Sequence, residues 1–130
     1  MIRAAARRVY RYVRASTVQR RSALFREARE VMARRFSEPD LALGSVAREI
    51  ATSRRQLQRA FAEAGGTTFS RELQRIRMAR AAQLLADDSL AVHSVAGAVG
   101  YRQAAQFAKV FRRHHGAPPS RFRSSDRVAA

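Results

Sequence analysis

The chain has 130 residues, 46% of them apolar, and its 26 basic against 10 acidic side chains give a formal charge of +16. That length suits one domain or two very small ones with a modest core, excluding a disordered chain, and the charge favours a polyanionic partner. The absence of cysteine excludes a disulfide framework, a thiolate zinc site and a cysteine nucleophile.

The opening run MIRAAARRVYRYVRAS is rich in Arg and free of acid, but it lacks the continuous apolar stretch of a signal peptide. Nothing later approaches the ~18 apolar residues of a membrane span, so a soluble cytoplasmic protein with no membrane partner is expected. Prolines occur only at Pro39, Pro118 and Pro119, and alternating β-branched runs are absent. Everything between Leu41 and Gly116 is therefore free to be helical, and the expected fold class is all-α.

A helix is predicted from about Ser22 to Phe36, with Leu24, Ala28, Val31 and Met32 on one face, broken by the SEPD run. A second, short helix covers about Gly44 to Ile50. A third runs from Arg54 to Ala64, opened by Ser53 and Gln56 as a capping box and closed by Gly65-Gly66. A longer helix follows from about Ser70 to Ala86, offering Leu73, Ile76, Ala79 and Leu84 for packing, and it is roughly 25 Å long at ~1.5 Å per residue. Two more span about Val92 to Val99 and Gln103 to His114, the latter ending at Gly116. A turn or short helix after Pro118-Pro119 brings in Phe122, and the last residues, 124–130, are expected to fray.

An internal repeat organises these elements. Ser45, Val46, Ala47 and Ile50 recur as Ser94, Val95, Ala96 and Val99 at an offset of 49, and Leu57, Phe61 and Gly66 recur as Phe107, Phe111 and Gly116 at an offset of 50. The second copy thus carries one extra residue in the turn between its helices. Each copy is a short helix, a tight turn and a longer helix, the form of a helix-turn-helix. Val46 and Ile50 bury the bracing helix while Leu57 and Phe61 bury the one it braces. The opposite face of that second helix, Arg54, Arg55, Gln58, Arg59 and Ala62, carries no acid and suits the DNA major groove. In the second copy the matching face is Gln103, Ala104, Gln106, Lys109 and Arg113, with Arg102 in the turn before it. Fork-shaped Arg suits phosphates and guanine edges. The linking helix would set the two reading helices about one DNA turn, ~34 Å, apart, so that a single chain engages two major grooves.

These residues resemble the AraC/XylS-type regulators, whose DNA-binding domain has two helix-turn-helix units joined by a long helix. The resemblance covers about Ser22 to Arg123. It is most specific in VHSVAGAVGYRQAAQFAKVFRRHHGAPPSRFR, with Val99-Gly100-Tyr101, Phe107, Phe111, Gly116, Pro119 and Phe122 in place, and LALGSVAREIATSRRQLQRAFAEAGGTTFSREL fits almost as well. It implies base-reading roles for Arg55, Gln58 and Arg59 in the first unit and for Gln103, Ala104, Gln106 and Lys109 in the second. It also implies a sequence-specific regulator of transcription, generally an activator, with RNA polymerase as partner and no catalysis. The alternative is a basic nucleoid-type or RNA-binding protein without sequence preference.

Departures from the family pattern make the two units unequal. Ala51 replaces the usual glycine of the first turn, Gly97 interrupts a helix, and Ala42 and Ala91 stand where hydroxyl N-caps are usual. Ala104 and Ala105 replace polar residues and offer at most a methyl contact to thymine. The first unit (about 43–66) is therefore expected to read sequence, and the second (about 92–116) mainly to hold phosphates.

His114-His115 is read as a solvated or phosphate-facing pair, since adjacent helical residues point ~100° apart and no third metal ligand is near; His93 is read as a surface residue. Asp87-Asp88 is taken to end one helix and precede the next. Residues 1–21 form a basic extension in which Ile2, Ala6, Val9 and Val13 keep helical spacing among Arg3, Arg7, Arg8, Arg11 and Arg14. With 11 Arg and two Glu, residues 1–36 carry a net +9. The extension suits a DNA-backbone arm best, ahead of a surface for polymerase or another chain, a membrane-surface helix or a linker from a larger regulator. No cofactor or metal is expected.

Overall fold

The computed structural model describes the backbone of residues 2–123 and the side chains of residues 16–123. Among the described residues the main elements are α1 (Ile2–Arg35), α2 (Leu43–Glu49), α3 (Arg54–Gly65), α4 (Phe69–Leu85), α5 (Val92–Ala98) and α6 (Ala104–His115). A further helical turn occupies 119–123, and no strand occurs among the described residues. The expected helix ends hold to within a residue or two, except at the N-terminus, where one helix runs through the position at which the basic extension is expected to end. The fraying tail and the side chains of the first 15 residues lie outside the described residues.

The described residues divide into two compact units, one built from α1 up to position 31 with 42–69, the other from 32–41 with position 70 onward. The division falls inside α1, so the last turn of that helix and the SEPD bend belong with the second unit.

In the first unit Ala28 and Val31 of α1, Val46 and Ala47 of α2, and Leu57, Ala60 and Phe61 of α3 are buried, with Phe61 at 1% exposure. Phe61 takes the edge of Phe25 at 5.2 Å and of Phe69 at 5.9 Å between centroids, arrangements that suit the ring quadrupoles. Ile50, expected to be buried beside Val46, is only half-buried, whereas its counterpart Val99 in the second copy is fully buried.

In the second unit Met78, Ala81 and Leu85 of α4 pack with Val95, Ala96 and Val99, and with Phe107, Val110 and Phe111 of α6. The buried stripe of α4 thus differs from the expected one. Leu73 is buried, Ile76 and Leu84 are half-buried, and Ala79 is exposed. Apolar residues occupy several faces of this helix, so spacing alone could not choose among them.

Candidate nucleic-acid interface

The two turns repeat bond for bond. In the first, Ile50 N–H donates to Val46 O, Ala51 N–H to Arg48 O and Thr52 N–H to Ala47 O; in the second, Val99 donates to Val95, Gly100 to Gly97 and Tyr101 to Ala96. Every pair is related by the offset of 49. The residue that reverses the chain has positive φ in both, 57° at Ala51 and 95° at Gly100. A Cβ on Gly100 would stand 2.7 Å from the Phe36 carbonyl oxygen, so glycine is required there on steric as well as conformational grounds.

After the turn the two units part. Ser53 is the N-cap of α3 and its side chain accepts from Gln56 N–H at 3.1 Å, whereas Gln103, the N-cap of α6, makes no such bond. Since Thr52 matches Tyr101 and Ser53 matches Gln103, the extra residue of the second unit is Arg102. Ala42 and Ala91 are the N-caps of α2 and α5 and provide no side-chain bond. Both longer helices, α3 and α6, end on a left-handed glycine, Gly66 and Gly116, which terminates them without a Cβ clash.

Held in this way, α3 exposes Arg54, Arg55, Gln58, Arg59 and Ala62 on the face opposite buried Leu57, Ala60 and Phe61. Arg54 also lies against the start of α2, where a Cβ on Gly44 would come within 2.8 Å of its Nε. In the second unit Gln103, Ala104, Ala105, Gln106, Lys109 and Arg113 are exposed or nearly so, and α6 contains no acidic residue. Arg102 is exposed as well, but its Nη2 sits 2.5 Å from Asp40 Oδ2. Spacing does not single out Arg112. It joins Lys109 and Arg113 around an open groove of about 590 Å³ floored by Ala108, Gly116 and Pro118. Three cations on one concave surface suit a phosphate chain.

The histidine pair separates. His114 is exposed, with its pKa lowered by partial burial and by the neighbouring charges of His115 and Arg75. His115 packs between Phe111 at 4.4 Å and Phe122 at 5.5 Å, and its Nε2 is 3.2 Å from Met78 O, which requires the proton on Nε2. His115 is therefore a packing residue and not part of a phosphate-facing pair. His93 is exposed, and no group able to hold a metal occurs among the described residues. Asp87 closes the turn after α4 by accepting from Ser89 N–H and Oγ–H, which lowers its pKa. Arg123 donates to the Leu85 and Asp87 carbonyls, fastening the last helical turn beside it.

Residues 46–125 match the family model described as a helix-turn-helix domain. The chain belongs to the AraC-type helix-turn-helix family. The C-terminal domain of AraT, a response regulator from Geobacillus stearothermophilus, superposes with a TM-score of 0.76 at 34% identity, covering 78% of this chain and 84% of that one. The DNA-binding domain of AdpA, a global transcriptional factor solved in complex with a target DNA, gives a TM-score of 0.75 at 26% identity over 81% of this chain and 94% of that chain. Among sequence relatives, the transcriptional activator CfaD of Escherichia coli is 33% identical over 60 residues, 46% of this chain and 23% of its own length. The regulator GbdR of Pseudomonas aeruginosa is 34% identical over 82 residues, 63% of this chain and 22% of its own. The AraC-type chain thus spans about a quarter of the length of these relatives. No helix among its described residues is long and apolar enough to cross a membrane.

Proposed function

We propose that this chain is the DNA-reading part of a transcription regulator, an activator that works with RNA polymerase on duplex DNA in the cytoplasm and catalyses no reaction. The observation that carries this is the duplicated turn with an acid-free exposed helix face behind each copy. Charge alone would suit any polyanion, but two identically braced helices suit a major groove. The relatives, an activator and a regulator among them, and the AdpA domain's capture on target DNA support the same reading.

In this proposal Arg55, Gln58 and Arg59 read bases from the first unit, with Arg54 at the helix start. Gln103 and Gln106 hold the second unit in its groove, and Arg102, Lys109 and Arg113 take phosphates. One chain carries both units, so binding as a monomer is open to it. The charge of +16 favours a second reading, a nucleoid-type protein without sequence preference. Selection of bound fragments from a random duplex pool, followed by competition against random duplex at fixed salt, separates the two. A regulator should prefer its selected fragment by at least ~10³-fold, and a preference below about tenfold would favour the nucleoid reading.

A further inference from the structure

The acid-to-base contact at Asp40 joins two segments that other contacts already hold in place. The bend after α1 is held by Arg77, whose Nε donates to Phe36 O and whose Nη2 donates to Glu38 O, both at 2.9 Å. The same guanidinium lies 5.6 Å from the centre of the Tyr101 ring. Gly100 presses its bare Cα side against the Phe36 carbonyl, so the second turn is seated on this bend. Asp40 and Arg102 stand side by side on these two fixed stretches and meet at 2.5 Å, at 85% and 65% side-chain exposure. The pair forms with little further loss of backbone freedom, and both partners face solvent. Arg102 is also the single residue by which the second turn exceeds the first. The first unit has no corresponding residue.

We propose that Asp40 stands in for a DNA phosphate: in the free chain it holds Arg102, and on duplex DNA it competes with the backbone for that guanidinium. Asp40 is then a positioning residue that weakens the sequence-independent grip of the second unit. An exposed ion pair is a modest competitor, so the effect is a tuning of affinity. Because phosphates carry no sequence information, selected and random duplexes are affected alike. This inference rests on the DNA-binding reading above.

The test measures duplex affinity across a salt series for the wild-type chain, Asp40→Asn, Asp40→Glu, Arg102→Ala and the double variant Asp40→Asn with Arg102→Ala. Both a fragment selected by the wild-type chain and a random duplex are used. Asp40→Asn should bind both about two- to fivefold more tightly, the size of an exposed ion pair, and its salt slope should steepen by up to ~0.9, the equivalent of one phosphate. Asp40→Glu should return affinity to near the wild-type value. In the Arg102→Ala background Asp40→Asn should change affinity little. An equal gain in both backgrounds would show that Asp40 acts only through net charge, and no gain in Asp40→Asn would likewise overturn the inference while leaving DNA binding intact. A wild-type chain that bound no duplex would overturn the DNA reading and this inference together.

Discussion

Ala51 and Gly100 hold the same place in two copies of one turn, at φ 57° and 95°. A left-handed alanine costs roughly 1–2 kcal/mol, part of which glycine would recover after its larger entropy loss on folding. Ala51→Gly should therefore stabilise the chain by ~0.5–1 kcal/mol, read as a higher urea midpoint with unchanged slope. Gly100→Ala should cost more than ~2 kcal/mol, because φ strain adds to the clash with Phe36 O; a neutral result would mean that the bend after α1 yields easily. Gly97 is the opposite case. It lies exposed within α5 with open space where a Cβ would go, so Gly97→Ala should add ~0.5–1 kcal/mol through helix propensity alone. At His114 the depressed pKa sets a pH dependence. The unfolded chain binds this proton more readily, so stability should fall as pH drops below the ordinary histidine value of 6.5. Melting temperatures followed from neutral pH down to about one unit below that value should show the step, and His114→Gln should remove it. Glu38 and Asp87, both with lowered pKa, add losses of the same sign only in the carboxylate range.

Helices α3 and α6 begin differently, and that difference is testable apart from DNA. Ser53→Ala removes a formed cap and should cost ~1 kcal/mol. Gln103→Ala removes no cap bond and should leave the denaturation midpoint nearly unchanged. On DNA the contrast should persist. Arg55, Gln58 and Arg59 can make bidentate bonds to base edges, each worth ~1–3 kcal/mol of discrimination, while Ala104 and Ala105 offer methyl groups. Base-pair changes under the first unit should therefore weaken binding more than changes under the second; the reverse ranking would assign sequence reading to α6. Much of this is legible in the sequence because the apolar skeleton repeats: Val46 with Val95 and Phe61 with Phe111 locate both turns, and the change of offset from 49 to 50 locates the inserted residue. What the pattern cannot show is which of several apolar faces α4 buries, since Ala79 and Ala81 look alike in sequence yet only Ala81 is buried. Nor can it show meetings between distant positions, such as Asp40 with Arg102 or His115 with Met78, which depend on how the bend after α1 and the end of α6 are seated. Arg112 escapes a sequence reading because helical spacing places it off the reading face, and only the neighbouring turn at Gly116 and Pro118 makes a groove beside it.

For the whole molecule the governing quantity is charge. An excess of +16 on 130 residues opposes compaction by self-repulsion and draws the chain to polyanions, and added salt weakens both effects. The free chain should melt at a higher temperature in about 0.3 M salt than in about 0.03 M, while its DNA affinity falls over the same interval. The distribution of charge makes a sharper prediction. Residues 1–14 contain five Arg and no acid, on the N-terminal part of a helix with no acidic residue in its first turn. Positive charge in that stretch of sequence opposes the helix dipole. A polyanion alongside would relieve that penalty. If this segment serves as a backbone arm, deleting residues 1–14 should lower the slope of log affinity against log salt by ~0.9 for each phosphate the arm neutralises. The preference for a selected fragment over random duplex should stay the same, because an arm on phosphates reads no bases. The slope and the preference report different things. An unchanged slope would exclude the arm, and a lowered slope with a diminished preference would place base-reading groups in the first helix.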